Sequence, residues 1–235
     1  MKKIITLGVF MLATLCTWAQ DIELDTDKGN VSFGIKTGWL QSTIKGDDLK
    51  ILAVDGKVTK TNSFFAGVSV YTGIGEHFGF KHELFYQQYG ADFQREIEDI
   101  VLDATLEMHS LRLNPLSPTF KIGGLQVYAG PYVNMLLYSS ITAVDEDGNT
   151  YKDRNIFGTE EEDTEEYKYL QKMDYGFVAG IEYQFNFGLS VGAHYSRGFA
   201  TLFDNANTHG LENNAGMTDY KIYNESFGIS LGYHF

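Results

Sequence analysis

The C-terminal end of the chain alternates strictly between large apolar residues and small or polar ones. Over residues 227–235 the intervening positions are Gly, Ser, Gly and His. A period of two residues is that of a β-strand, whose successive side chains point to opposite faces, whereas a helix would scatter the same residues around its axis. The large face of this predicted closing strand consists of Phe227, Ile229, Leu231, Tyr233 and Phe235.

The same alternation recurs along the chain and predicts a barrel. The segments with this pattern are 30–41, 63–74, 78–90, 104–114, 125–138, 172–185, 189–198 and 222–235. Each can cross a membrane, since a tilted transmembrane strand needs about 9 to 11 residues. Their second face is rich in Gly and Ser, which suits a filled barrel interior, whereas a soluble barrel with an apolar ligand cavity would carry charge outside. We therefore predict an all-β fold: an eight-stranded antiparallel up-and-down transmembrane β-barrel over residues 30–235.

One segment departs from the regular pattern. The apolar residues of 104–114 change face between Met108 and Leu111, which predicts a β-bulge or a misplaced boundary.

Short and long connections alternate between the predicted strands. The short ones are 75–77, 116–124 and 186–188, and the long ones are 42–62, 91–103, 139–171 and 199–221. Short turns on one side and long loops on the other are typical of outer-membrane barrels. We expect both termini and the short turns to be periplasmic and the long loops to be extracellular.

The N-terminus has the features of a secretory signal peptide. A basic start at Lys2 and Lys3 precedes an apolar run over 4–16, which is too short to span a bilayer, and 17–19 supplies a small-x-small cleavage site. We predict a signal peptide over 1–19 and a short periplasmic segment over 20–29. Cys16, the only cysteine, lies inside the signal, so the mature chain has no disulfide; Leu15 argues against lipidation of Cys16.

Polar residues at inward positions predict a network across the barrel interior. They are Lys36, Lys81, Glu83, Gln87, Arg112, Asn134, Asp174, Glu182, His194 and Ser196. An eight-stranded barrel is just wide enough for its own side chains to fill. We interpret the network as a structural, charge-paired core, because an unpaired buried charge costs several kcal/mol; the alternative is a proton or ion path.

Catalysis by the same residues is a weaker interpretation. Glu182, His194 and Ser196 could together form an activated nucleophile. The alternation, however, places them inside, away from lipid, and the pattern reveals no outward polar cluster at mid-membrane height. We therefore assign no catalytic residue and no cofactor.

The third long loop is strongly acidic, and the whole chain carries a formal net charge of −13. This charge argues against a nucleic-acid partner. Asp145-x-Asp147-x-Asn149 resembles the start of a calcium loop, but Gly148 is misplaced and Ile156 stands where such a loop needs Glu, so no metal is expected. Asp147-Gly148 instead predicts a hairpin turn. The acidic loop is either a solvated surface or a candidate surface for a cation or a basic protein, formed by Asp145, Asp147, Glu160, Glu161, Glu162, Asp163, Glu165 and Glu166.

Four segments carry a family resemblance. GLQVYAGPYV (124–133), DYGFVAGIEY (174–183), YSRG (195–198) and GYHF (232–235) resemble the PorT-like outer-membrane β-barrel family of Gram-negative bacteria. The resemblance implies an eight-stranded barrel and, for some members, a supporting role in protein secretion. The acidic third loop and the prolines Pro115 and Pro118 depart from the family pattern.

These observations lead to a functional expectation. We expect a non-enzymatic protein of the Gram-negative outer membrane, acting as a surface-loop binding module or as an accessory component of a protein-secretion assembly. The alternatives are a lipid-modifying enzyme and a narrow channel. The expected partners are outer-membrane lipid, the barrel-assembly machinery, which would recognise the closing strand as its assembly signal, and a secretion complex or another protein.

Overall fold

The computed structural model describes residues 31–97, 100–154, 156, 170–203 and 220–235. These residues form nine β-strands, a short helix α1 (Leu49–Leu52) and a 3-10 turn at Val54–Gly56. The strands are β1 (Val31–Gly46), β2 (Val58–Ile74), β3 (Phe78–Ile97), β4 (Ile100–Ile122), β5 (Leu125–Val144), β6 (Thr150–Arg154), β7 (Met173–Gln184), β8 (Leu189–Gly198) and β9 (Ile222–His234). No helix in these ranges is long and apolar enough to span a membrane.

Eight of the strands form a closed ring. Each pairs antiparallel with the next, β5 pairs with β7, and β1 also pairs with β9. The short strand β6 pairs only with the far end of β5, beyond the part that pairs with β7. Every strand of the ring therefore has two neighbours, and the ring itself has no free edge. The predicted eight-stranded antiparallel barrel is confirmed.

The connections sort to the two ends of the barrel. The short-turn end holds the turns at 75–77, 123–124 and 185–188 together with Val31 and Phe235. The long-loop end holds the connections after β1, β3, β5 and β8. The predicted alternation is present, but the strands are longer than expected at the long-loop end. β3 and β4, for instance, stay paired as far as Ile97 and Ile100, inside the predicted loop 91–103.

The predicted short connection at 116–124 is wrong. β4 continues to Ile122, and the turn is made by Gly123 and Gly124, with Gly123 at φ 56°. The two prolines that suggested a loop lie inside the strand. Register shifts on both sides of β4, between Lys81 and Glu83 and between Leu113 and Thr119, place a β-bulge at 115–116. Because proline cannot donate to the ladder, a bulge is where a strand tolerates it.

The predicted change of face of the apolar residues between Met108 and Leu111 is present, and so is an irregularity beside it: the β4–β5 register shifts between His109 and Ser110, with the extra residue Leu137 on β5. β4 alternates regularly from Ala104 to Asn114, with Met108 buried and Leu111 on the outer face. The barrel interior is itself apolar at this height, so the apolar residues change face without an extra residue in β4 there. The predicted signal peptide over 1–19, with Cys16, and the segment 20–29 lie outside the described residues and stay predictions.

Candidate functional site

The inner wall divides into strands with small side chains and strands with large ones. The inward positions of β8 and β9 are mostly Gly and Ser, whereas β3, β4 and β5 project long polar and aromatic side chains. On β7 a Cβ at Gly180 would lie 2.5 Å from the ring of Tyr128 on β5, so the ring occupies the space that this glycine leaves. Large side chains can therefore cross the interior and reach partners on other strands.

An ion cluster of Lys36, Lys81, Glu83, Glu182 and His234 occupies the interior towards the short-turn end. Lys36 Nζ lies 2.8 Å from Glu83 Oε1 and 2.6 Å from Glu182 Oε2. Glu182 also accepts from Lys81 Nζ at 3.1 Å, and its Oε1 lies 3.1 Å from His234 Nε2. All five side chains are at most 2% exposed. The cluster joins β1, β3, β7 and β9 across the barrel.

A hydrogen-bonded chain extends the ion cluster through Arg112. Asn114 Nδ2 donates to Glu83 Oε2 at 2.8 Å, and Asn114 Oδ1 accepts from Arg112 Nε at 3.0 Å. The guanidinium also donates from Nη1 to Ser196 Oγ at 3.1 Å. Aromatic rings cover two of the cations: Arg112 Cζ lies 4.2 Å from the centre of the Tyr132 ring, and Lys81 Nζ lies 4.4 Å from that of Tyr128. These contacts suit cation–π attraction in a desolvated interior.

Asp174 completes the charge balance of the interior. Its Oδ2 accepts from Tyr132 Oη at 3.1 Å and from Asn134 Nδ2 at 3.4 Å. Three buried carboxylates, Glu83, Glu182 and Asp174, thus face three buried cations, Lys36, Lys81 and Arg112. Since an isolated buried charge is costly, this balance lowers the free-energy cost of burying the six charged groups.

The half of the interior towards the long-loop end is mainly apolar, with a few small polar side chains such as Ser42, Ser139 and Ser140 buried beside the apolar ones. Its buried residues include Leu40, Ile44, Phe65, Phe85, Phe93, Leu106, Met108 and Leu136, joined by Leu52, Ile156, Leu170 and Leu202 from the loops. A cavity of about 10 Å³ remains beside Tyr89 and Asp174, which is room for about one water molecule. Polar packing at one end and apolar packing at the other leave no through-path among the described residues.

The structure brings most of the predicted network together. Lys36, Lys81, Glu83, Arg112, Asp174, Glu182 and Ser196 are all buried and in contact with polar partners. His194 differs, because its ring packs edge-on against Phe65 at 5.1 Å between centres. Among the described residues, no hydrogen bond joins Glu182, His194 and Ser196, and Ser196 instead pairs with Arg112 and Ser226. The considered nucleophile trio is therefore not assembled.

Sequence reasoning missed several members of the interior network. The histidine that contacts Glu182 is His234 and not His194. Asn114 connects Glu83 to Arg112, and the rings of Tyr128 and Tyr132 cover Lys81 and Arg112. His234 could have been found, because the alternation of the closing strand already puts it on the inner face with Gly228 and Gly232.

The outer wall carries a polar relay that the sequence analysis also missed. In this outer relay the Tyr86 hydroxyl hydrogen-bonds His109 Nδ1, and His109 Nε2 lies 2.9 Å from Glu107 Oε1. The same carboxylate oxygen accepts from Gln88 Nε2 at 2.6 Å. The relay lies on the outer faces of the paired strands β3 and β4. The apolar residues of β4 change face beside His109, so the alternation assigned no face to His109, and this concealed the relay.

The candidate acidic surface is described only in part. β5 and β6 form the predicted hairpin, with Val144 opposite Thr150 and Gly148 at φ 85°. The Asp145 carboxylate accepts from the side-chain amide and the backbone N–H of Asn149, both at 2.8 Å, and this holds the pKa of Asp145 below its usual value. Asp147 lies in the same turn. The residues Glu160, Glu161, Glu162, Asp163, Glu165 and Glu166 lie outside the described residues. Where the structure describes the chain, no group of three or more His, Cys, Asp or Glu side chains could hold a metal ion.

One family model matches most of this chain, and several solved structures are similar to it. The family model described as "Outer membrane protein beta-barrel domain" matches residues 18–204. Among solved structures, Ail of Yersinia pestis is 12% identical with a TM-score of 0.45, covering 87% of this chain and 98% of its own. Neisserial surface protein A is 10% identical with a TM-score of 0.46, covering 88% and 99%. OprG of Pseudomonas aeruginosa is 15% identical with a TM-score of 0.33, covering 88% and 97%. No curated protein matches the chain.

Proposed function

Because the chain belongs to the outer membrane protein β-barrel family, we propose that it is a non-enzymatic barrel of the Gram-negative outer membrane that works through its long-loop end. In this proposal the long loops face the cell exterior and bind a protein partner, or they attach the barrel to a protein-secretion assembly. The termini and short turns face the periplasm.

The closed interior is the observation that carries this proposal. The ion cluster and Arg112 fill one half of the barrel, and the apolar core fills the other. A narrow channel would need a continuous polar path, and the apolar half interrupts it. With the interior committed to packing, the loops and the outer wall remain to meet a partner.

The secretion role rests on sequence resemblance. The segments 124–133, 174–183, 195–198 and 232–235 resemble the PorT-like group, some members of which support protein secretion. In the structure these segments lie on β5, β7, β8 and β9, so they describe the wall of the barrel and not its loops. A partner at the long-loop end is therefore the part of the proposal that needs a direct test.

Site-specific crosslinking in intact cells provides this test. With Cys16 replaced by Ser, single cysteines would be placed at Asp55 and Asn149 in the long-loop end, with Glu76 in a short turn as the control; all three are exposed. We expect the same protein to be captured at Asp55 and Asn149 but not at Glu76. Capture at Glu76 alone would place the partner at the opposite end and refute the proposal.

The outer relay favours a second candidate, a lipid-modifying enzyme. Its order of hydroxyl, imidazole and carboxylate is that of a nucleophile, a base and an orienting acid, and it faces the lipid. Fatty-acid release from phospholipid vesicles holding the reconstituted protein separates the two candidates. Activity that is lost in His109→Ala but kept in His77→Ala, a histidine of the first short turn, would support the enzyme. Absence of release by the wild type would support the non-enzymatic barrel.

A further inference from the structure

The lipid-facing wall of β8, β9 and β1 holds two exposed cations at the level of the long-loop boundary. Glu225 Oε1 lies 2.6 Å from Lys45 Nζ, and its Oε2 lies 3.7 Å from Arg197 Nη1. The Tyr195 hydroxyl donates to the same Oε2 at 2.9 Å. The side chains of Lys45 and Arg197 are 52% and 48% exposed, whereas that of Glu225 is only 13% exposed. We call Lys45 and Arg197 the cation pair.

The positive charge of the cation pair is only partly neutralised by Glu225. Two cations share one carboxylate, so among the described residues the group has a net charge of +1, in a chain whose formal net charge is −13. The covered carboxylate holds both side chains, and each of them stays about half exposed where the structure describes their surroundings. The group also stands at headgroup height, because Arg197 and Glu225 form the pair next above Tyr195 and Phe227, and aromatic residues mark the membrane interface.

An apolar groove lies below the cation pair on the adjoining part of the outer wall, mainly over β4, β5, β7 and β8, and it reaches β9 at Phe227. Its volume is about 640 Å³, within the range of ligand pockets, which is about 300 to 1,000 Å³. Small side chains form its floor and large ones its sides, with Tyr195 and Phe227 at the upper end. Its outward-facing lining residues include Ala129, Ala179, Ala193, Ile181, Phe78 and Phe120. Tyr195 links the two features, since its ring lines the groove and its hydroxyl holds Glu225.

We propose that this wall is a specific site for one acylated membrane lipid with a phosphate headgroup. The phosphate binds between Arg197 and Lys45, because guanidinium and ammonium groups form charge-assisted hydrogen bonds to phosphate oxygens. An acyl chain fills the groove, which offers almost no polar surface. The site lies on the wall and not in the loops, so it is independent of the loop function proposed above.

Lipid binding to the full-length protein in detergent micelles tests the site. Native mass spectrometry would measure the affinity for dioleoyl phosphatidic acid, with diolein as the probe without phosphate and inorganic phosphate as the probe without chains. We expect one phosphatidic acid per barrel, with much weaker binding of either single-feature probe. Equal binding of diolein would refute the phosphate contact, and equal binding of inorganic phosphate would refute the groove.

Variants separate the two halves of the site. Lys45→Gln with Arg197→Gln should lower the affinity for phosphatidic acid by roughly fivefold for each cation removed. The matched control is Lys60→Gln with Arg95→Gln, which removes two cations from β2 and β3 and should leave the affinity unchanged. Ala193→Phe, or Ala179→Leu if the first does not fold, should fill the groove. This should weaken the binding of phosphatidic acid without changing the binding of inorganic phosphate. Wild-type affinity in the cation variant, or an equal loss in the control, would overturn the proposal.

Discussion

Glu182 shows at the residue scale how one side chain holds the barrel together. Its two oxygens meet Lys36, Lys81 and His234, so it connects strands that are far apart in sequence. Lys36 has a second carboxylate in Glu83, but Lys81 has ion-pair contact only with Glu182 among the described residues. Removing Glu182 would leave buried positive charge without its counter-charge.

The Glu182→Gln substitution should therefore be strongly destabilising. We expect the free energy of unfolding to fall by about 3 to 5 kcal/mol, the usual cost of breaking a buried ion pair from one side. Urea unfolding of the refolded protein in micelles measures this, with Glu76→Gln in the exposed first turn as the control.

Two further variants sharpen this prediction. Glu182→Gln combined with Lys81→Met should cost less than the sum of the single changes, because the unpaired cation is removed as well. The conductance of wild type and variant in planar bilayers should stay at the level of the bare bilayer. A stable Glu182→Gln barrel, or a wild type that conducts, would contradict a structural role for the ion cluster.

At the element scale, β9 closes the ring. It pairs with β1 from Ile222 to His234 and with β8 from Glu225 to Tyr233. Phe235 adds a further backbone contact, since its N–H donates to Phe33 O at 2.9 Å. The proposed assembly signal, Phe227, Ile229, Leu231, Tyr233 and Phe235, lies on the outer face, 40% to 59% exposed. A free strand of this kind can be presented to an assembly partner before the ring closes.

Deletion of residues 233–235 should abolish folded barrel in the membrane. The deletion leaves the ends of β1 and β8 unpaired at the short-turn end and removes His234 from Glu182. Heat-modifiable migration of outer-membrane fractions on gels measures the folded form. Deletion of 146–148 at the β5–β6 hairpin tip is the control and should be tolerated, because loop tips accept such changes. Wild-type amounts of heat-modifiable protein after the terminal deletion would refute this prediction.

At the scale of the whole molecule, the barrel has two unlike ends. The short-turn end holds tight turns and both ends of the described chain, and the polar half of the interior lies behind it. The long-loop end carries α1, the β5–β6 hairpin and the apolar half of the interior. This asymmetry accords with loops that face the exterior.

Protease added to intact cells should distinguish the two ends. Cleavage is expected within 47–57 and at 145–149, while 75–77 and 186–188 should stay intact, because exposed loop tips are the preferred sites of nicking. Mass spectrometry of the released peptides identifies the cut sites, and permeabilised cells give the control in which both ends are reached. Cuts at 75–77 in intact cells would reverse the proposed orientation.

The fold class and the inner and outer faces of most strands follow from the order of residues along the chain. A period of two residues is a local property, so Phe227 and Gly228 reveal their faces without knowledge of any other strand. The alternation of short and long connections could also be predicted from the sequence. The pattern failed in β4, because a bulge and an apolar inner half both alter the alternation that the method depends on.

Which polar groups meet depends on the folded, closed barrel. Lys36 and Glu182 stand 146 positions apart, and ring closure and strand register bring them to 2.6 Å. Ring closure also brings His234 within hydrogen-bonding distance of Glu182, whereas His194 packs against the ring of Phe65. On the outer wall it sets Lys45 beside Arg197 across β9. Local alternation fixes the face of a residue, but its partner across a closed barrel depends on the register of every strand between them.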